Sequence, residues 1–282
     1  MLKQVQHDDF SIMKQALTES EQQTARDIVL EAGKRILNMD RLLVLAPKEF
    51  SGLAGNIVTQ TDLDTDNFLR TELTRQFPHI GYFSEETYKQ TSKELEKDLC
   101  WVVDPIDGTL NFSRGIPLFA VSVALMQNQK PVFSMAFAPR LSEFYWAGKG
   151  QGAFLDKKRL HVTKVTSLHQ AFGSFYSGDL TVSERTMMLT FFEDLNIEYG
   201  ELYSTVIHGA FVAAGRHDFM HIITAALWDI AAIWLMIEEA GGVFDIFKDP
   251  NAKAPYNYTV TGGNKVVVKE LLELIGKVRK SK

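Results

Sequence analysis

One stretch joins an apolar segment to a turn with two carboxylates: Trp101-Val102-Val103-Asp104-Pro105-Ile106-Asp107-Gly108-Thr109-Leu110-Asn111-Phe112. Its first three residues predict a buried strand, and Gly108 stands where a helix could begin. Two carboxylates on one rigid turn supply oxygen ligands for a hard cation. Free N–H groups at a helix start favour an anion. The stretch therefore predicts a cation held beside a phosphate group.

Length and composition indicate a globular protein. The chain has 282 residues, 45% of them hydrophobic and 23% charged, with a formal net charge of -5. This length is enough for one large domain or two interlocked ones. Because the sequence has no long basic run, nucleic-acid binding is not expected. The single cysteine, Cys100, excludes an internal disulfide and suits a reducing compartment. At a strand start we interpret it as a small buried apolar residue and not as a nucleophile.

Neither a targeting segment nor a membrane span is expected. Residues 1–20 are mixed and polar, with no apolar core of a signal peptide. The longest apolar run, residues 225–237, is interrupted by Asp229. We therefore expect a cytoplasmic protein that does not bind membranes.

The order of elements indicates an α/β protein in two closely packed regions. A run of predicted strands in residues 1–155 indicates an antiparallel sheet, whereas helices and strands alternate in residues 156–282. We predict one functional unit, in which the first region carries most of the acidic sites and the second carries Asp229. Helices are predicted over residues 20–38 (capped by Ser20), 64–77, 183–195, 206–214, 229–240 and 265–277, and strands over 56–62, 80–84, 119–126, 132–138, 143–147, 171–176, 198–203, 218–223, 243–247 and 258–262.

Four acidic sites end an apolar segment or begin a helix: Asp62, Glu85-Glu86, the Asp104/Asp107 pair and Asp229. Taken singly, each has a structural explanation. Asp62 could cap the helix after it, and the two glutamates could be solvated. Asp229 lies in an apolar stretch, so it must be paired, metal-bound or capping.

Three histidines lie close together in the second region. They are His208, His217 and His221, and the last two are four residues apart. That spacing would suit a zinc pair on a helix, but residues 218–223 are predicted to be a strand and no His-Glu-x-x-His pattern is present. We interpret all three as surface or packing residues.

In combination, the acidic sites resemble the inositol monophosphatase family, within the lithium-sensitive, Mg²⁺-dependent sugar phosphatases. The resemblance extends over residues 20–275. It implies a layered α/β/α/β/α sandwich with a mainly antiparallel N-terminal sheet and a smaller mixed C-terminal sheet, and it implies a homodimer. The matching stretches are residues 58–62, 84–87, 104–112 and 228–232 with 239–242, and 148–154 match more weakly.

The resemblance also implies two to three Mg²⁺ ions. Glu85, Asp104 and the main-chain carbonyl of Ile106 would hold the first ion. Asp104, Asp107 and Asp229 would hold the second, so that Asp104 bridges the two. A third, weaker ion would lie by Glu85. Magnesium prefers octahedral oxygen coordination and keeps several waters, which these carboxylates allow.

The catalytic residues implied by the resemblance are Asp62, Thr109 and Glu85. Asp62 and Thr109 would activate a water that attacks phosphorus in line, with Glu85 as a plausible second base. The backbone N–H groups of Gly108 and Thr109 would grip the phosphate, because glycine permits close approach. No covalent enzyme intermediate is needed.

The positions that would orient the substrate depart from the family. Asp107 and Asp229 match, but Tyr203-Ser204-Thr205 stands where inositol-type members have Gly-Ser/Thr-Ala. Ile222 stands where they have a glutamate that binds ring hydroxyls. An apolar side chain cannot form that hydrogen bond, so the resemblance indicates the reaction and leaves inositol specificity open. Lys48 could be the family's basic residue, but we interpret it as a surface lysine.

We therefore predict Mg²⁺-dependent hydrolysis of a small phosphate monoester, which is inositol-1-phosphate-like or a related sugar or polyol phosphate. Fructose 1,6-bisphosphatase, histidinol-phosphatase and nucleotide 3′-phosphatase activities stay open. The nucleotide activity is less favoured, because Leu110-Asn111-Phe112 resembles the inositol branch. A non-catalytic protein that binds a phosphorylated ligand or a partner is the alternative of another class.

Overall fold

Two large β-sheets and the helices around them account for most of the described chain. The structure is a computed structural model that describes residues 16–39, 44–47, 57–176, 180–250, 255 and 257–280. Most of the N-terminal extension and Lys48 lie outside these residues. The helices are α1 (Glu19–Ile36), α2 (Gln60–Gln76), α3 (Tyr88–Thr91), α4 (Thr109–Arg114), α5 (Val182–Asp194), α6 (Thr205–Ala213), α7 (Leu227–Glu239) and α8 (Lys265–Lys280), with a 3₁₀ turn at Ser92–Glu96.

The larger sheet has seven strands in the order β3-β4-β5-β6-β7-β8-β9. Strands β3 and β4 are parallel and all other neighbours are antiparallel. A separate two-stranded sheet of β1 and β2 precedes it. The strands are β1 (Val44–Pro47), β2 (Ile57–Thr59), β3 (Gly81–Ser84), β4 (Leu99–Asp107), β5 (Ala120–Gln127), β6 (Lys130–Ala138), β7 (Glu143–Gly148), β8 (Gly152–Leu155) and β9 (Lys158–Arg159).

The smaller sheet is mixed and has the order β11-β10-β12-β14-β13. Strand β10 runs parallel to β11 and β12, whereas β14 is antiparallel to β12 and β13. The strands are β10 (Phe172–Phe175), β11 (Glu198–Tyr199), β12 (Phe219–Ala225), β13 (Val243–Lys248) and β14 (Tyr258–Gly263).

Alternating side chains along the strands supply three apolar layers. In β4, Trp101 packs with α1 and α2, whereas its neighbour Val102 packs on the opposite face, against α6 and α7. In β12, Met220 joins that same central layer and Phe219 faces α5 and α8. Each sheet therefore buries both faces, and the expected α/β sandwich is confirmed. No helix in the described ranges has the length and apolarity that a membrane crossing requires.

Helix starts differ from the sequence predictions in three places. Thr18, and not Ser20, caps α1, through a reciprocal pair of bonds with Glu21. Strand β2 ends at Thr59 and α2 begins directly after it, so Asp62 lies in the first helical turn and not at the end of a strand. Helix α7 begins at Leu227, which places Asp229 in its first turn. In each helix an acidic side chain three residues after the cap binds the cap backbone and lengthens the helix.

One further strand was predicted with the wrong extent. Strand β11 covers only residues 198–199 of the predicted 198–203, because the chain turns into the start of α6. Residues 87–99 contain α3 and the 3₁₀ turn before β4 begins.

Candidate active site

Three carboxylates meet where the end of β4 approaches the start of α7. Oxygens of Asp104, Asp107 and Asp229 all lie within 4.8 Å of one another, and within the described ranges these residues form the one group of three or more that could hold a metal ion. Asp104 and Asp107 are buried and Asp229 is half-buried. Like charges at this separation in low dielectric repel strongly, so the geometry favours a bound cation.

A bulge at the end of β4 turns two of these carboxylates to the same side. Asp104 pairs with Ser122 and Asp107 pairs with Ala120, so an advance of three residues along β4 is paired with an advance of two residues along β5. Residues three apart in a regular strand face opposite sides, and the extra residue corrects this. Pro105 suits the bulge because it has no N–H to donate to the ladder. The Ile106 N–H donates to Asp104 Oδ1 at 3.0 Å and fixes that carboxylate.

The start of α6 holds the carboxylate of Asp107. The Ser204 hydroxyl donates a short hydrogen bond to Oδ2. The N–H groups of Thr205 and Val206 donate to Oδ1 at 3.1 Å and to Oδ2 at 3.0 Å. Burial raises the pKa of Asp107 to about 7; the three hydrogen bonds oppose this shift and the charge of Glu85 adds to it. A cation would favour the ionised form that these donors are placed to bind.

Thr109 and Asp62 form the second part of the site. The Thr109 hydroxyl lies 3.1 Å from Asp62 Oδ1 and 2.9 Å from the carbonyl oxygen of Ile106. Asp62 Oδ2 accepts from the N–H and hydroxyl of Thr59 at 2.7 and 2.5 Å. Because Oδ2 is occupied at the helix start, Oδ1 is the oxygen directed at Thr109. The predicted pairing of Asp62 with Thr109 is therefore present as a contact.

Gly108 forms the tight turn between β4 and α4. Its φ is +86°, in the left-handed region that glycine adopts at little cost. A Cβ atom here would lie 2.9 Å from the carbonyl oxygen of Leu118 and 3.1 Å from the Cβ of Ser204. Any larger residue would push the start of α6 away from Asp107.

Glu85 flanks the three carboxylates without joining their group. It follows β3, whose last residue, Ser84, pairs with Val103 of β4. The N–H of Glu85 donates to the carbonyl of Val103 at 3.1 Å, which places Glu85 beside Asp104. Both Glu85 and Glu86 are half-buried.

The positions that would orient the substrate occupy different environments. Ser204 and Thr205 contact Asp107, as described above. Tyr203, which directly precedes them, is 63% exposed with φ +52°. Ile222 is 7% exposed and belongs to the central apolar layer. The structure therefore brings residues 203–205 to the site and keeps Ile222 in an apolar setting.

The three histidines are all buried, and the rings of His208 and His217 lie near each other, with centroids 6.0 Å apart. His208 Nε2 accepts from the N–H of Leu202 at 3.0 Å, and His221 Nδ1 lies 2.9 Å from the Thr261 hydroxyl. Burial lowers the pKa of His208 and of His221 to about 3, with a smaller contribution from neighbouring positive groups. It also lowers the pKa of His217. All three are neutral near pH 7, which agrees with packing roles.

The sequence analysis missed two residues at the site. Val206 acts through its backbone N–H, for which a side chain gives no signal. Asn111 lies in the opening stretch, and its amide reaches the carbonyl oxygens of Leu118 at 2.7 Å and Leu202 at 2.6 Å. A buried asparagine beside a glycine turn was the available signal, because a buried amide must find partners.

Comparisons with known proteins agree with this geometry. A sequence model of the inositol monophosphatase family matches residues 13–280. The inositol monophosphatase of Dictyostelium discoideum is 36% identical over 228 residues, which cover 78% of this chain and 82% of that protein. A fructose-1,6-bisphosphatase/inositol-1-monophosphatase of Thermotoga maritima is 30% identical over 223 residues, with 79% and 84% covered.

A solved structure shows the same fold. An inositol monophosphatase of Thermotoga maritima superposes with a TM-score of 0.73 at 27% sequence identity, and the match covers 91% of this chain and 97% of that one. The residues that the family model matches extend across both sheets and include all four acidic sites.

Proposed function

The chain belongs to the inositol monophosphatase family and is a phosphoric monoester hydrolase, and we propose that it cleaves a small sugar or polyol phosphate at the site formed by Asp62, Thr109 and the three clustered aspartates. The observation that carries this proposal is the contact between Thr109 Oγ1 and Asp62 Oδ1. In this contact a hydroxyl meets a carboxylate, and Thr109 follows Asp107 of the aspartate cluster by two residues.

Asp104, Asp107 and Asp229 would hold divalent cations. The donor set is made of carboxylate oxygens within 4.8 Å of one another, which suits a hard ion such as Mg²⁺. We propose two to three Mg²⁺ ions, with Glu85 and the carbonyl of Ile106 as further ligands. Such ions supply positive charge that stabilises the attacked phosphate and the leaving oxygen.

Asp62 and Thr109 would move the proton from the attacking water. Thr59 fixes Asp62 by donating two hydrogen bonds to Oδ2, and Oδ1 accepts from the Thr109 hydroxyl. The threonine oxygen then presents lone pairs to a water, which is oriented for in-line attack and loses its proton towards Asp62. We propose Glu85 as a second base, because it lies beside Asp104.

The residues that would surround a bound phosphate indicate which chemical groups a substrate needs. The turn at Gly108 and Thr109 would bind phosphate oxygens through backbone N–H groups. The alcohol part would meet Tyr203, Ser204 and Thr205. Buried Ile222 offers no hydrogen bond to a ring hydroxyl, which argues against strict inositol specificity. The relatives named above support testing both inositol monophosphates and fructose 1,6-bisphosphate.

A non-catalytic binding protein would not need the Asp62–Thr109 contact. Cation and phosphate binding require only the aspartates and the backbone N–H groups. We also propose a cytoplasmic homodimer inhibited by lithium, as the family resemblance implies. Sedimentation of the full chain tests the dimer.

The function is tested by phosphate release from a panel of sugar, polyol and nucleotide phosphates with Mg²⁺. Asp62→Asn and Thr109→Val should each lower kcat by at least about 100-fold, because proton transfer by a positioned group contributes factors of this size. Thr109→Ser should retain most activity, since it keeps the hydroxyl. Excess chelator should abolish turnover of the unmodified chain.

Asp66→Asn is the matched control for Asp62→Asn. Asp66 is also buried on α2, one turn further along, and accepts from the Tyr82 hydroxyl at 2.8 Å. The control should lose stability and keep its turnover per folded molecule. Equal loss in both variants, or full activity in chelator, would contradict the assignment.

A further inference from the structure

The segment Leu202–Tyr203 is anchored by side chains from two different helices. On one side, the amide Nδ2 of Asn111 on α4 donates to the carbonyl oxygen of Leu202 at 2.6 Å and lies 3.5 Å from that of Tyr203. On the other side, His208 Nε2 on α6 accepts from the N–H of Leu202 at 3.0 Å. Both peptide groups of Leu202 are therefore held by side chains.

The same amide ties this segment to the glycine turn. Asn111 is 2% exposed, and Nδ2 also donates to the carbonyl oxygen of Leu118 at 2.7 Å. That oxygen is the atom nearest to where a Cβ of Gly108 would lie. The two amide hydrogens of Asn111 thus connect Leu118, beside the Gly108 turn, with Leu202, which lies 91 residues after Asn111 in sequence.

Tyr203 needs this support because its backbone is strained. Its φ of +52° places a non-glycine residue in the left-handed region, which costs about 1 kcal/mol or more. Such a conformation persists only where the surroundings hold it. It directly precedes Ser204, the N-cap of α6, so it sets the direction of that helix start.

The direction of the α6 start decides how Asp107 is held. Ser204, Thr205 and Val206 supply three donors to its carboxylate, and all three follow the anchored segment without a break. A shift of the segment would move these donors together. Groups that orient a carboxylate ligand typically change metal affinity or activity 10- to 100-fold when removed.

We propose that Asn111 and His208 are positioning residues: they fix Leu202–Tyr203 so that the start of α6 orients Asp107 for cation and substrate binding. Neither residue needs to touch the substrate. The expected effect on turnover rests on the proposed function, whereas the anchoring itself does not.

The test is Asn111→Asp, which keeps the size of the side chain and removes its N–H donors. Backbone hydrogen exchange of Leu202, Thr205 and Val206 should become at least about 10-fold faster, relative to the core amide of Val123, because local openings expose these groups. The Mg²⁺ concentration for half-maximal activity should rise and kcat/KM should fall by about 10- to 100-fold. His208→Leu should act in the same direction, and His208→Gln, whose amide oxygen can accept, should restore part of the loss.

Asn264→Asp is the matched control. Asn264 is buried, its Nδ2 donates to the carbonyl of Thr163 at 2.6 Å, and its Oδ1 accepts from the N–H of Val266 at the start of α8. It should lose stability while exchange at the three amides and the Mg²⁺ requirement stay unchanged. The same exchange rates in the Asn111 and Asn264 variants would overturn the proposal. Faster exchange in a chain that releases no phosphate under any condition would uphold the anchoring and reject the proposed function.

Discussion

His221 is a buried histidine that the fold keeps neutral. It is 4% exposed, its ring stacks on Phe175 with centroids 5.0 Å apart, and Nδ1 meets the Thr261 hydroxyl. Burial lowers its pKa from the ordinary histidine value of 6.5 to about 3. Between these two values the unfolded chain binds a proton that the native protein does not. The contribution to stability is therefore complete above pH 6.5 and is lost as the pH falls towards 3.

We expect His221→Gln to make unfolding less sensitive to acid. From pH 7.5 to 5.5 this histidine should account for about 1.4 kcal/mol of lost stability, because one differential proton corresponds to about that energy per pH unit. Urea unfolding at both pH values measures the loss in each protein. The exposed His169→Gln is the control and should lose as much as the unmodified chain. An unchanged pH response in the His221 variant would show that the native protein binds the proton after all.

At the scale of secondary-structure elements, Glu239 connects the end of α7 to the turn between β7 and β8. Its carboxylate accepts from the N–H groups of Gly150 at 2.7 Å and Gly152 at 2.8 Å. Both glycines have positive φ, so the turn presents its N–H groups to one anion.

Glu239→Gln should destabilise the protein by about 1.5–3 kcal/mol, the range for hydrogen bonds to a charged group. The amide can accept from one glycine but faces the other with its own N–H groups. Thermal unfolding measures the effect, and Glu238→Gln, at the exposed neighbouring position, should change stability by less than about 0.5 kcal/mol. Similar losses in both variants would mean that the general charge of the helix end, and not this contact, matters.

Sequence patterns predicted which segments form helices and strands better than they predicted the residues at which these elements begin and end. Most helices and strands were predicted within two or three residues, because apolar periodicity reports burial directly. The start of α2 was misplaced because the capping pair of Thr59 and Asp62 was interpreted as part of a strand. The bulge between Asp104 and Asp107 was not predicted either, since it depends on the pairing partner β5.

The part of the candidate site that lies in one short stretch of sequence could be predicted. Asp104, Asp107 and Thr109 occur together in the sequence, and in the structure the two aspartates lie close to Asp229 while Thr109 contacts Asp62. The contacts of Asp107 with the start of α6 join residues almost a hundred positions apart, so they depend on the packed arrangement of both sheets. No local pattern encodes such a contact.

Across the whole molecule, the central apolar layer belongs to both proposed regions. Val102 and Tyr145 from residues 1–155 pack there with Val206, Trp228 and Ile230 from residues 156–282. Helix α7 lies between the sheets and contacts strands of both. Unfolding either region alone would expose this layer to water, which costs about 25 cal/mol for each Å² of apolar surface. The two regions should therefore unfold together.

Val123→Ala and Val267→Ala test this cooperativity from opposite sides of the molecule. Both side chains are fully buried, the first in the layer under α1 and α2 and the second in the layer under α5 and α8. Each truncation should cost about 2 kcal/mol through lost burial and a small cavity. If the molecule is one unit, each variant shifts a single transition that tryptophan fluorescence and far-ultraviolet circular dichroism report at the same urea concentration. Two separate transitions, with each variant moving only one of them, would show instead that the two regions are independent folding units joined by a weak interface.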